Sequence, residues 1–211
     1  MRKFVLTLCL ALSITMQAQT LKKADAAQSK AMIEHINRTA SAIRSISCHF
    51  TQVKTLRFLN DKMTSQGRMY YDGCGKLRWE YTAPYQYIFI LNGEKVHIKS
   101  AKSKQTIDIR QSRMFQSIAQ MMLNSVTGKS LDTNGDFDCE MSVSGEEWIA
   151  DLTPKKKEVK KMFKSVRLHF SSTRQMVTQV EMTETSGDTT VISLKDVKTN
   201  ERVDEKLFTL D

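Results

Sequence analysis

Apolar and polar residues alternate in stretch after stretch of this chain, and tight-turn residues separate the stretches. In "GKLRWEYTAP", residues 75–84, Leu77, Trp79 and Tyr81 alternate with Lys76, Arg78 and Glu80. A period of two marks a β-strand with one apolar and one wetted face. Phe137, Cys139, Met141 and Val143 alternate with acids and serines in the same way, and "EWIADLTP", "SVRLHFSS", "MVTQVEMTET" and "TTVISLKDV" follow. Upstream, Cys48 and Phe50 alternate with His49 and Thr51 in a strand toward Arg57; the polar "NDKMTS" predicts a turn, and a second strand runs from Gln66 to Tyr71. "YQYIFILNGEKVHIKS" reads as two strands around Asn92-Gly93, a strong hairpin signal. The "DGCG" before Leu77 and the pair Ser186-Gly187 supply further turns. Nine or more mostly antiparallel strands predict one large curved sheet, with helices beside it, in an α+β fold.

Two segments break the strand period. Over residues 26–46, Met32, Ile36, Ala40 and Ile43 recur at helical spacing with Glu34, Asn37 and Arg38 between them, which predicts an amphipathic helix. Over residues 112–125, Met114, Phe115, Ile118, Met121, Met122 and Ser125 predict a second helix, with Gly128 just past its end. The chain holds 12 methionines. Their unbranched thioethers suit either an irregular ligand or plain packing on the sheet, and composition alone favours the packing.

The first residues, "MRKFVLTLCLALSITMQAQT", pair a basic start with a short apolar run and small residues around Ala18, as secretory signals do. The expected organisation is a signal over residues 1–18 and a single domain over residues 19–211, exported and soluble. The formal net charge of +9 favours an acidic partner or an anionic membrane surface, and export argues against nucleic acid. The run "KKKEVKK", Lys155 to Lys161, reads as a solvated loop or hairpin, with a docking patch for acidic partners or anionic headgroups as the weaker reading.

Chemistry-bearing motifs are missing. His35, His49, His97 and His169 are scattered, and Cys48, Cys74 and Cys139 lack metal-site spacing, leaving room for one disulfide at most. "DTNGDFDCE" from Asp132 misplaces both the glycine and the final glutamate of a calcium loop. With no nucleophile elbow and no phosphate-cradling loop, the expectation is a protein with no enzymatic activity, no metal and no cofactor.

The order of the pieces carries a further signal. An amphipathic helix is followed by "CHFTQ" (Cys48 to Gln52), "QGRMYY" (Gln66 to Tyr71), "LRWEYTAP" (Leu77 to Pro84), "NGEKVHI", a short apolar helix and a final "VDEKLFTL". This order resembles the LolA-like periplasmic carriers of outer-membrane lipoproteins. The resemblance implies an unclosed β-barrel of about eleven strands with a helical lid over an apolar cavity that holds acyl chains. It implies a monomer in the periplasm that takes lipoproteins from an ATP-driven inner-membrane exporter and passes them to an outer-membrane acceptor. The alternative is a lipid- or lipoprotein-sensing module on the same fold that regulates a protein partner. By the resemblance Leu77, Trp79 and Tyr81 line the cavity, with Met69 and Tyr71, or else Tyr70, and with Ile88 and Ile90; Ile118, Met121 and Met122 form the underside of the lid. The family usually has an arginine that fastens the lid where this chain has Gly73, so either other groups such as Arg68 or Arg78 gate the lid or its closure is weaker. In an open cavity, Leu77→Glu would stop cargo binding yet leave the fold intact, because the charge stays hydrated.

Overall fold

In the computed structural model, which describes residues 20–111, 124, 131 and 137–210, twelve strands form one antiparallel sheet. They are β1 (Lys22–Lys23), β2 (Ser45–Leu56), β3 (Asp61–Asp72), β4 (Leu77–Ala83), β5 (Tyr87–Asn92), β6 (Lys95–Ser100), β7 (Lys104–Asp108), β8 (Phe137–Ser144), β9 (Glu147–Pro154), β10 (Phe163–Ser171), β11 (Val177–Glu184) and β12 (Thr189–Thr199). Their spatial order is β1-β8-β9-β10-β11-β12-β2-β3-β4-β5-β6-β7. The sheet is unclosed, with β1 and β7 as its edges, and the α+β expectation is met. The two edge strands are those that sequence alternation missed, being short and polar.

Two meanders build this sheet, β2 to β7 and β8 to β12, and the β12–β2 pairing joins them. Turns occur where the glycines predicted them. Gly93 and Gly187 have φ of +59° and +92°, conformations in which a side chain is strained. One turn differs from expectation. "NDKMTS" is mostly strand, because β3 begins at Asp61 and pairs with β2 from Leu56 onward; the turn itself is residues 57–60.

The first helix, α1 (Ala26–Ala42), starts at a reciprocal cap. Gln28 N donates to Asp25 Oδ1 at 2.8 Å, and Asp25 N donates to Gln28 Oε1 at 3.2 Å, which satisfies two backbone donors that a helix start leaves free. Met32, Ile36 and Ala40 are its buried stripe. It stops earlier than its periodicity suggested, since Ile43 is already extended. Asn200 fixes the exit: its Oδ1 accepts from Arg44 N, and its Nδ2 donates to Ala42 O.

A four-residue helix, α2 (Lys157–Lys160), lies inside the lysine run and buries Val159. A 3-10 turn, Glu205–Phe208, buries Phe208. The helix expected over residues 112–125 lies outside the described residues apart from Asn124, which is helical. Ile118, Met121 and Met122 therefore lie outside them too, as does the expected signal. Among the described residues no helix is long and apolar enough to cross a membrane.

Candidate functional site

Residues directly opposite each other in antiparallel strands share a face of the sheet, so the register assigns each side chain to one side. Leu77 lies opposite Tyr71 and Leu91, Trp79 opposite Met69 and Phe89, and Tyr81 opposite Gly67 and Tyr87. The same rows continue outward to Val96 and Ile98 on β6 and inward to Ile46, Cys48 and Phe50 on β2. Beyond the β12–β2 seam this face carries Ile192, Val180, Leu168, Ala150 and Met141. Met32 and Ile36 of α1 join these residues in one apolar cluster, and α1 packs at the β8–β9 end of this face, where His35 meets Trp148 edge-on at 6.3 Å.

Met69, Tyr71, Leu77 and Trp79 are all buried there, with Leu77 and Met69 at 0% exposure. Tyr81 is half-buried and its hydroxyl donates to Gln52 Oε1 at 2.9 Å. Phe50 ties the aromatic group together, stacking on Trp79 at 4.3 Å and meeting Tyr81 edge-on at 5.2 Å. The Trp79 indole N–H is buried, and the Tyr81 hydroxyl is the polar group beside it. The choice the sequence left open between Met69 with Tyr71 and Tyr70 goes to the first pair, because Tyr70 lies opposite Arg78 on the outer face.

Ile88 and Ile90 correct the expectation. They lie opposite Glu80 and Arg78, which puts them on the outer face, away from Leu77. Ile90 is buried there, and Ile88 lines an outer crevice with Leu207 and Leu210. The alternation rule had no purchase on "YIFIL", where both faces of the strand are apolar. The usable signal was the two-residue turn after Asn92, which pairs Leu91 with Val96 and so identifies Phe89 and Leu91 as the inward residues.

The gating candidates also sit elsewhere than expected. Arg78 bonds Glu80 Oε2 at 2.8 Å and donates from Nη1 to Leu207 O at 3.0 Å, which straps the C-terminal segment to the outer face. Arg68 lies opposite His49 and Glu80 on that same face. Neither arginine is on the inner face. At Gly73 a Cβ would come within 2.9 Å of the Arg44 carbonyl oxygen, so this turn, closed by Asp72 Oδ1 accepting from Cys74 N and Lys76 N, has no room for a side chain.

Cys48, Cys74 and Cys139 are all free thiols. Burial pushes the Cys48 thiol up to about 12. Burial, then the carboxylates of Asp151 and Glu140, push Cys139 up to about 11. Alkylation needs the thiolate, so iodoacetamide at pH 8 is expected to label the exposed Cys74 fully while Cys48 and Cys139 react only in urea. Peptide mass mapping reads the three sites separately. Prompt labelling of Cys48 would contradict the closed inner face.

The family model for the outer membrane lipoprotein carrier protein LolA matches residues 41–211. The chain belongs to the LolA family. Its relatives include an outer-membrane lipoprotein carrier protein of Chromohalobacter salexigens, 26% identical over 96% of this chain and 88% of that one. Another is the carrier of Legionella pneumophila strain Paris, 26% identical over 85% of each chain. A solved structure of an uncharacterized conserved protein from Thermus thermophilus matches with a TM-score of 0.53, covering 87% of this chain and 94% of that one at 8% identity; it speaks for the fold alone. Within the LolA family frame, the apolar inner face is the candidate site, and the C-terminal segment straps the outer face.

Proposed function

We propose that this LolA-family chain is a periplasmic carrier that holds lipoprotein acyl chains against the inner face of its sheet, between the β2–β5 wall and α1. The observation that carries the reading is an apolar inner face that runs across β2 to β6 and on beyond the seam, to which α1 adds Met32 and Ile36. Burying a side chain such as Met32 or Ile36 stabilises by about 1.5–3 kcal/mol, and each methylene of an acyl chain by about 0.8 kcal/mol. A handful of methylenes therefore offsets what α1 loses on leaving. That balance lets a carrier both accept and release its cargo. In this reading the protein is a monomer without catalytic activity, loaded by an ATP-driven exporter of the inner membrane and emptied at an outer-membrane acceptor.

Two adjacent residues on opposite faces provide the test. Phe89 is half-buried on the inner face and Ile88 half-buried on the outer one. A synthetic triacylated lipopeptide should form a soluble complex with the full chain, followed by gel filtration and tryptophan emission. Phe89→Asp is expected to weaken it at least about tenfold, because a carboxylate resists dehydration, whereas Ile88→Asp should bind like the parent. Equal binding by both variants, or a lipopeptide that stays aggregated with the parent, would sink the proposal.

A further inference from the structure

The arm formed by β2 and β3 has a feature that the cargo face does not need. Both strands are 12 residues long, the longest in the sheet. β3 pairs with β4 only from Gln66 onward, so among the described residues its first five have no strand paired on that side. At about 3.3 Å per residue the hairpin reaches roughly 15 Å past β4. On its other side β12 flanks β2 as far as the Thr55–Thr189 pair, so past β12 the arm extends by its turn.

The tip of this arm is apolar. Phe58 is 97% exposed and Leu59 65%. Phe58 is the most exposed large apolar side chain among the described residues. A hairpin is closed as well by small polar residues, so nothing in the fold calls for a phenylalanine there. Arg57 and Lys62 flank the pair, with no ion pair to either among the described residues. The nearby acids serve the turn: Asp188 Oδ1 accepts from Arg57 N, and Asp61 Oδ1 accepts from Lys62 N.

We propose that this tip docks on an anionic bilayer, with Phe58 and Leu59 entering the headgroup boundary and Arg57 and Lys62 meeting lipid phosphates. A projecting pair of side chains presents far less area than the roughly 800 Å² per partner of a specific protein interface, whereas a bilayer accepts an apolar wedge without shape complementarity. The net charge of +9 favours anionic lipid. Leu56 and Met63 alternate onto the inner face of the arm, toward Phe50. Docking by the tip therefore brings one end of the inner face to the membrane.

The experiment uses the full chain, free of cargo, with vesicles of phosphatidylethanolamine and phosphatidylglycerol. Phe58→Trp should shift its emission to the blue on vesicle addition and be quenched by brominated lipid, relative to the parent's own tryptophans. Phe58→Asp with Leu59→Asp should reduce co-sedimentation at least tenfold at an unchanged urea midpoint, and pure phosphatidylcholine should bind more weakly than the anionic mixture. The proposal is overturned if the emission does not move, if the double variant sediments like the parent, if phosphatidylcholine binds equally well, or if the tip mediates only self-association. Phe89→Asp should bind vesicles like the parent, so failure of the cargo reading and failure of this one are told apart.

Discussion

Gly67→Ala is expected to cost the fold at least about 3 kcal/mol, the upper end of overpacking effects, and to lower the urea midpoint by roughly 1–3 M. Gly67 sits in β3 between Phe50 on β2 and Tyr81 on β4. The Phe50 ring lies over it, held by Trp79 and Tyr81. A Cβ at this position would overlap both the ring edge of Phe50 and the carbonyl oxygen of Glu80. The ring can tilt, but the carbonyl belongs to a strand fixed by its own ladder. Adding Phe50→Leu to Gly67→Ala should therefore restore little, and a double-mutant cycle separates the two contacts. Full rescue by Phe50→Leu would show that the ring, and not the strand spacing, demands glycine.

Leu77→Glu carries the second large effect, and here the structure reverses what an open cavity implies. Leu77 is 0% exposed, between Tyr71 and Leu91, while its neighbours Lys76 and Arg78 are committed to Asp72 and Glu80. A carboxylate there is buried without a partner, which ordinarily costs several kcal/mol. Burial raises its folded pKa above the unfolded value near 4.3. Below that unfolded value the glutamate is neutral in both states. As pH rises, the unfolded chain sheds the proton first, and stability falls by up to about 1.4 kcal/mol per pH unit until the folded group ionises. Urea titrations at pH 5 and pH 8 should show the variant markedly weaker at pH 8, whereas Leu77→Ala, costing about 2–5 kcal/mol, should show no such slope. Parental stability of Leu77→Glu at pH 8 would mean that water reaches this face.

The strand that raised the question of a site, "LRWEYT", was legible because its polar positions are all charged or hydroxylic, so its two faces are unmistakable. Met69 and Tyr71 followed once β3 was paired with it. β5 was not legible, since "YIFIL" buries Ile90 on the outer face and turns Phe89 to the inner one. Hydrophobicity is blind to that choice; only register decides it. The extent of β3 was hidden for a different reason. Asp61 to Thr64 is mostly polar because it is exposed arm, and polarity without clear alternation reads as turn. The role expected of Arg68 and Arg78 rested on charge near the right turn, and the pleat sent both to the other side.

The β12–β2 seam has a consequence for how the chain reaches this state. Each meander closes through neighbours in sequence, yet the seam joins Thr199 to Ile46 and Leu194 to Phe50, across most of the chain. Ser45 and Asn200 fasten its end, with Ser45 Oγ donating to Glu201 O and Asn200 N to Ser45 O. Contacts this distant in sequence close late and slowly. Until the last strand is delivered, β2 presents a bare 12-residue edge with Cys48 and Phe50 on its apolar side, and the half-made sheet is most open to aggregation in that interval.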